Sequence, residues 1–222
     1  LNVPGHLVEI SFADVGTSTY NMAQYYDEFT DIDLEFFLKQ KKNLSFLNCI
    51  SKDYALVPLG TKTKRVATNQ CIKQKNIISF DIDAKDCDKS YKQKSKEDKR
   101  VFLDELRDQI LKSIQEYNLP VWIVVLSGNG FHIHFRAEQP LSFKTAQEYK
   151  LFYDSAREYL EGIIPCAKFD QACNNLARLM SQPLSTNRKD EANPIPTEIN
   201  LPNQKADATE FLYNAKPWSC PY

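Results

Sequence analysis

Residues 76–136 constrain this chain more than any other stretch. They hold three short apolar segments: NIISFDID (76–83), VWIVVL (121–126) and FHIHFR (131–136). Runs of this length, rich in β-branched and aromatic residues and bounded by turn formers, read as buried strands. Only Ser127-Gly128-Asn129-Gly130 separates the last two. Two glycines in four residues allow a tight reversal, so these strands form a hairpin. Between the first strand and the hairpin, Ser95 and Asp98 have the spacing of a helix-opening capping box. Phe102, Leu103, Leu106, Ile110, Ile114 and Tyr117 then recur at helical spacing, and Pro120 stops the helix. A second amphipathic helix is predicted over 144–160. Strand, helix, hairpin, helix predicts an α+β fold, an antiparallel or mixed sheet with helices on one face.

The flanks are less explicit. A strand is predicted at 8–12, and a helix from the Asp31-Ile32-Asp33 cluster to residue 41. Strands are predicted at 54–58 and 65–68 around a Gly60 turn, and a lysine-rich loop at 84–94. Residues 169–180 read as partly helical. Beyond Asn193 prolines become frequent, and only 208–214 looks regular. Residues 1–60 carry no interpretable motif. With 222 residues, one catalytic domain is expected over 1–222. Its motif-bearing core is 76–190, with 1–75 its N-terminal part and 191–222 a C-terminal extension.

Composition narrows the class. Hydrophobic residues make up 42% of the chain, enough for a substantial core. No run approaches the ~18 apolar residues of a membrane span. Residues 1–12 lack the basic and apolar segments of a signal peptide, so an intracellular protein without membrane contact is expected. The first residue is Leu, which fits a piece of a longer chain. Six cysteines without a CxxC pair read as reduced thiols rather than a zinc ribbon. The net charge is −1, yet residues 62–100 hold twelve Lys or Arg against six Asp or Glu. Such a basic stretch is either a solvated face or a phosphate-binding patch.

Three clusters can do chemistry. Asp81 and Asp83 lie two apart at a strand end, so both carboxylates leave one face. Their mutual repulsion is relieved by a cation, and hard divalent ions prefer oxygen ligands. Asp31 and Asp33 repeat the spacing but precede a helix, where acids meet its positive end. Ser127 to Gly130 lets a phosphate approach the backbone, and His132 and His134 share one strand face. Asp170 can complete a three-carboxylate site. Arg178 can fork onto phosphates. Ser185, Asn187, Arg188 and Lys189 can grip a nucleic-acid backbone.

In this order the clusters resemble the archaeo-eukaryotic primase superfamily, in particular its plasmid and phage primase-polymerases. That pattern has an acidic pair at a strand end, a serine-glycine turn leading to a histidine, and a hydrophobic residue before a third aspartate. Here these are Asp81 and Asp83, Ser127 through His132, and Phe169-Asp170. Asn175, Arg178, Pro183, Ser185, Asn187 and Lys189 match the continuation seen in mobile-element members, with Leu184 where glycine is usual. The resemblance spans about 76–190. It implies two packed α/β units, the second on an RRM-like sheet, with the active site in the cleft between them. It implies a template-dependent nucleotidyltransferase, a DNA primase or primase-polymerase of mobile-element replication. Asp81, Asp83 and Asp170 would hold two Mg2+ or Mn2+ ions. Ser127, Gly130 and His132 would contact the incoming nucleoside triphosphate, with Arg178 and Lys189 as further phosphate contacts. Lys62, Lys64, Arg65, Lys85, Asn187 and Arg188 are candidates for the single-stranded DNA template. A helicase domain or partner is a further expectation.

Three rivals are weighed against this. A HUH-type nicking endonuclease would use His132 and His134 for metal and Tyr149 or Tyr153, four apart on a helix, as nucleophile. An RRM-like binding module would stack bases on Phe131 and Phe135. An end-joining repair polymerase shares the primase-like motifs.

Overall fold

The computed structural model describes residues 3–17, 19–40, 42–52, 58–165, 167–181, 183–189, 194–203 and 205–215. In chain order the elements are β1 (His6–Ala13), β2 (Met22–Tyr26), α1 (Asp31–Leu38), β3 (Asn43–Ser51), β4 (Thr63–Lys64), β5 (Gln74–Asp83), α2 (Ala84–Cys87) and α3 (Lys96–Glu116). They continue with β6 (Val121–Leu126), β7 (Gly130–Ser142), α4 (Ala146–Ile163), β8 (Met180–Ser181), β9 (Thr186–Asn187), β10 (Ile195–Pro196), β11 (Glu198–Asn200) and α5 (Thr209–Ala215).

A five-stranded sheet runs β4-β2-β1-β3-β8 and a four-stranded sheet runs β11-β6-β7-β5, with neighbouring strands antiparallel in both. The α+β arrangement expected from the central segment is therefore present. In the first sheet, β1 lies between β2 and β3 and is buried along nearly its whole length. One of its faces packs under α1, with the Phe12 and Phe37 rings 5.3 Å apart. The other face carries Glu9 and Ser11, both fully buried. In α1, Thr30 Oγ1 accepts a hydrogen bond from Asp33 N and Asp33 Oδ2 accepts one from Thr30 N. Asp33 is thus a helix-start residue, as its spacing implied. The helix stops at Leu38, short of residue 41.

In the second sheet, the acidic strand and the hairpin pair in the register Asp81↔His132 and Asp83↔Gly130. α3 is capped by Ser95, whose Oγ accepts from Asp98 N, and α4 by Thr145, whose Oγ1 accepts from Glu148 N. Leu103, Leu106 and Ile110 of α3 and Tyr149, Phe152 and Tyr153 of α4 join Ile78, Phe80, Ile133 and Phe135 in one continuous core. The Phe80 and Tyr153 rings stack at 4.8 Å.

Several local expectations differ from the structure. No strand covers 65–68. The first-sheet edge is β4, and it ends because Val66 N donates to the Tyr25 hydroxyl at 2.9 Å instead of to a strand partner. Residues 54–57 of the other expected strand lie outside the described residues. The lysine-rich segment 84–94 contains α2 and a 3-10 turn, Tyr91–Gln93, pinned by the buried Tyr91 ring. The proline-rich end is not irregular throughout: β11 pairs with β6 and extends the second sheet. Among the described residues, no helix is long and apolar enough to cross a membrane.

Candidate active site

β5 is an edge strand of the second sheet, hydrogen-bonded to β7. Alternation sends Phe80 toward α4 and Asp81 and Asp83 to the opposite face, where Asp81 meets His132. The hairpin turn places these groups accurately. A Cβ added at Gly130 would lie 2.0 Å from the Ile82 carbonyl oxygen, so only glycine lets the two strands approach this closely. Gly128 has φ +122°, a left-handed backbone, and the side chain of Asn187 fills the space beside it. Asn187 Nδ2 donates to Ser127 O at 2.7 Å and Ser127 N donates to Gly130 O at 2.9 Å, which fixes the turn.

The free flank of β5 receives the third aspartate. Phe169 bridges Ile82, and Asp170 N donates to Asp81 O at 2.8 Å. Asp170 Oδ1 accepts from Ala172 N at 2.8 Å and opens the 3-10 turn Gln171–Asn174. Arg178 Nη2 donates to Asp170 Oδ2 at 3.0 Å. Ligand atoms of Asp81, Asp170 and Cys173 all lie within 4.8 Å of one another.

A cavity of about 530 Å³ opens there between the two sheets. Asp81, His132, Arg178 and Lys189 line it together with Tyr20, Ser45 and Arg65. Arg65 is held by the buried Glu9, whose Oε1 accepts from Arg65 Nε at 2.6 Å and from Ser11 Oγ at 2.5 Å. Asp83 lies beside Asp81 but faces an adjoining cavity of about 250 Å³ with Lys92, Lys99 and Asn129. There it is ion-paired with Lys85.

Burial dominates the electrostatics. It raises the Asp81 carboxyl above the usual carboxylate range; His132 opposes the shift and Asp83 adds to it. Burial also lowers the His132 imidazole, against the pull of Asp81, so the ring is neutral near pH 7. Its Nε2 stands 3.5 Å from Asp81 Oδ1 and its Nδ1 has no partner. A desolvated carboxylate with two more carboxylates near it suits a divalent cation, and the donor set fits one.

The sequence-derived candidates are thus partly brought together. Asp81, His132, Arg178, Lys189 and Arg65 share the main cavity, with Asp170 at its edge. Asp83 and Lys85 occupy the adjoining one, while Ser127, Gly130 and Asn187 shape the turn. Lys62 and Lys64 are exposed near β4, with Lys62 Nζ 5.7 Å from the Phe12 ring. Arg188 is bound through its backbone, its N donating to Asn43 Oδ1 at 2.6 Å. His134 shares the sheet face of His132, the two rings 5.8 Å apart, but lines a separate apolar cavity with Phe46, its Nδ1 2.7 Å from Ser79 Oγ. Leu184 has φ +67°, the left-handed backbone that glycine would supply.

The groups required by two rival readings are buried. Tyr149 and Tyr153 are 2% and 0% exposed, on the face of β5 away from His132, and burial pushes both hydroxyls above their usual range. Phe131 and Phe135 lie in the core, where no base can stack on them. Tyr20, Ser45 and Cys173 were not singled out from the sequence. The first two come from a region without motifs, and only the three-residue step from Asp170 hinted at Cys173.

No family model matches the sequence, and no curated protein matches it. Among solved structures, the AEP domain of the primase-polymerase (PrimPol) of cyanophage S-2L superposes with a TM-score of 0.50 at 9% identity, covering 95% of this chain and 89% of that one. Primase RepB' gives 0.46 at 11% identity, covering 94% of this chain and 56% of that one. The catalytic domain of RepB' in complex with initiator DNA gives 0.46 at 10%, covering 94% and 85%. The cyanophage likeness is one of fold. The chain has the fold of an AEP domain, as the resemblance to the archaeo-eukaryotic primase superfamily implied.

Proposed function

We propose that this chain is a template-dependent nucleotidyltransferase, a primase-polymerase that builds or extends DNA strands in the replication of a mobile element. The observation that carries this reading is the meeting of Asp81, Asp170, His132 and Arg178 at one cavity between two sheets, on an AEP fold. Asp81 and Asp170, with Asp83 on the same strand face, would hold Mg2+ or Mn2+, which would supply Lewis acidity for phosphoryl transfer when bound. The chain's own residues do the rest. Arg178 and Lys189 take the triphosphate by charge-assisted hydrogen bonds. His132, neutral and buried, donates to a phosphate oxygen without repelling the metal. The Ser127–Gly130 turn, its glycines packed against Asn187 and the Ile82 carbonyl, holds the register that sets His132 opposite Asp81. Arg65, Lys62, Lys64, Lys85 and Arg188 attract the template strand, so template affinity falls steeply with salt.

The test is nucleotide incorporation on single-stranded DNA, with and without primer, in Mg2+ and in Mn2+. Wild type is compared with Asp81→Ala, Asp83→Ala and the double variant Tyr149→Phe/Tyr153→Phe. Synthesis that needs metal, vanishes in both aspartate variants and survives the tyrosine changes supports the reading. Absence of synthesis, with a nicked strand attached covalently through tyrosine, overturns it.

A further inference from the structure

Nothing in nucleotidyl transfer calls for a thiol, yet Cys173 lies against the carboxylates. Cys173 N donates to Asp170 O at 3.2 Å, and this turn folds the side chain back toward the acids. Ligand atoms of Asp81, Asp170 and Cys173 converge to within 4.8 Å of one another. Donors on one tetrahedral zinc ion sit about 3.3–3.8 Å apart, given bonds of about 2.0–2.3 Å, so small rotamer changes close the set. A second observation points the same way. His132, 5% exposed, lines the same cavity, and its Nε2 is 3.5 Å from Asp81 Oδ1. That separation is long for a hydrogen bond and suits two donors on one ion. The Nδ1 of the same ring is buried without a partner.

We propose that Asp81, Asp170 and Cys173, with His132 as the nearest further donor, form a site for a thiophilic divalent cation of the zinc or cadmium type. A sulfur–oxygen–nitrogen set favours such ions, whereas magnesium and manganese favour oxygen alone. On binding, the metal–sulfur bond replaces the S–H bond and the proton passes to solvent. Asp81 and Asp170, and His132 beside them, also belong to the proposed polymerase site, so occupation by zinc or cadmium excludes the hard ions. The inference shares that cavity but does not rest on polymerase chemistry.

One equivalent of Cd2+ is titrated into the full chain and the ultraviolet sulfur-to-cadmium charge-transfer band is followed. Wild type is expected to show a band that saturates at one equivalent. Cys173→Ser is expected to lose it, and Asp170→Asn to bind at least tenfold more weakly. A band of undiminished intensity in Cys173→Ser, or none in wild type, overturns the inference. If Cys173→Ser does not fold, zinc-edge X-ray absorption on the wild type at one equivalent decides. A sulfur neighbour at about 2.3 Å supports the site and a shell of oxygen and nitrogen alone refutes it. These readouts are separate from synthesis. A chain that shows the band without incorporating nucleotides retains this site and loses the proposed function, and the converse result does the opposite.

Discussion

Replacing Gly130 by alanine tests the close strand approach on which the acidic pair depends. The new Cβ would stand 2.0 Å from Ile82 O and 3.1 Å from Asp83 Cα. The first is a backbone atom and cannot rotate away, so the strand ends must part by about 1 Å to regain ordinary contact. Ala84 N donates to Asn129 O at 3.0 Å in the same turn, and that bond stretches past usefulness when the strands part. Overpacking of this kind costs about 1–3 kcal/mol, and a lost backbone hydrogen bond adds about 1 kcal/mol. A total near 3 kcal/mol lowers the melting temperature of a chain this size by about 6–12 °C. Asp83 moves with the strand, and a displacement of about 1 Å at a reacting centre costs on the order of 100-fold in rate. Gly162 is the control. It is exposed in α4 with nothing within 4 Å of an added Cβ, so Gly162→Ala stabilises by about 0.5–1 kcal/mol. Calorimetric unfolding of both variants, with incorporation assayed well below their melting temperatures, checks the argument. A Gly130→Ala protein that melts within about 2 °C of wild type would refute it.

Asp81→Asn removes a desolvated charge that burial disfavours. The metal-free variant should melt higher than wild type while losing the stabilisation that Mn2+ confers, as thermal scans with and without Mn2+ will show. The lowered His132 and His134 make stability depend on pH. Above their ordinary value of 6.5 both are neutral in either state. As pH falls below 6.5 the unfolded chain takes up protons that the buried rings refuse, so stability declines by at most about 2.7 kcal/mol per pH unit for two histidines. Guanidinium unfolding at pH 7.5 and 5.5 should show the decline, and a smaller one in His134→Gln; equal declines count against it. Leu184 holds a left-handed backbone that costs about 1–2 kcal/mol for a side-chain residue. Leu184→Gly should therefore raise stability or leave it unchanged, and a loss above about 1 kcal/mol in denaturant titration would show that its side chain packs usefully.

The second sheet was legible because its signals are local. The alternation in 76–83, the SGNG turn, the Ser95 cap and the spacing of Leu103, Leu106 and Ile110 each imply their structure from a few neighbouring residues. The first sheet was largely opaque. β3 is buried on both faces, so its pattern NLSFLNCIS lacks the alternation that marks a strand. The strand expected at 65–68 failed because a side chain, Tyr25, takes the hydrogen bond of Val66. At the site, the motif residues were visible by type and order, but the cavity wall was not. Tyr20 and Ser45 carried no signal, and Arg65, a candidate by its charge, reaches the wall only because the buried Glu9 holds its guanidinium, which no spacing in the chain encodes.

The docking of Phe169 and Asp170 on the free flank of β5 also orders events in time. By sequence separation alone, β5 is expected to pair with β7, through contacts such as Asp81↔His132, before Phe169 reaches Ile82. The third carboxylate arrives only when a distant segment closes that flank, a contact of long sequence separation that folding forms slowly. A nascent or partly folded chain then carries two acids without the third, and without Arg178. The proposed activity would then be the last property this chain acquires as it folds, and the first it loses when that edge opens.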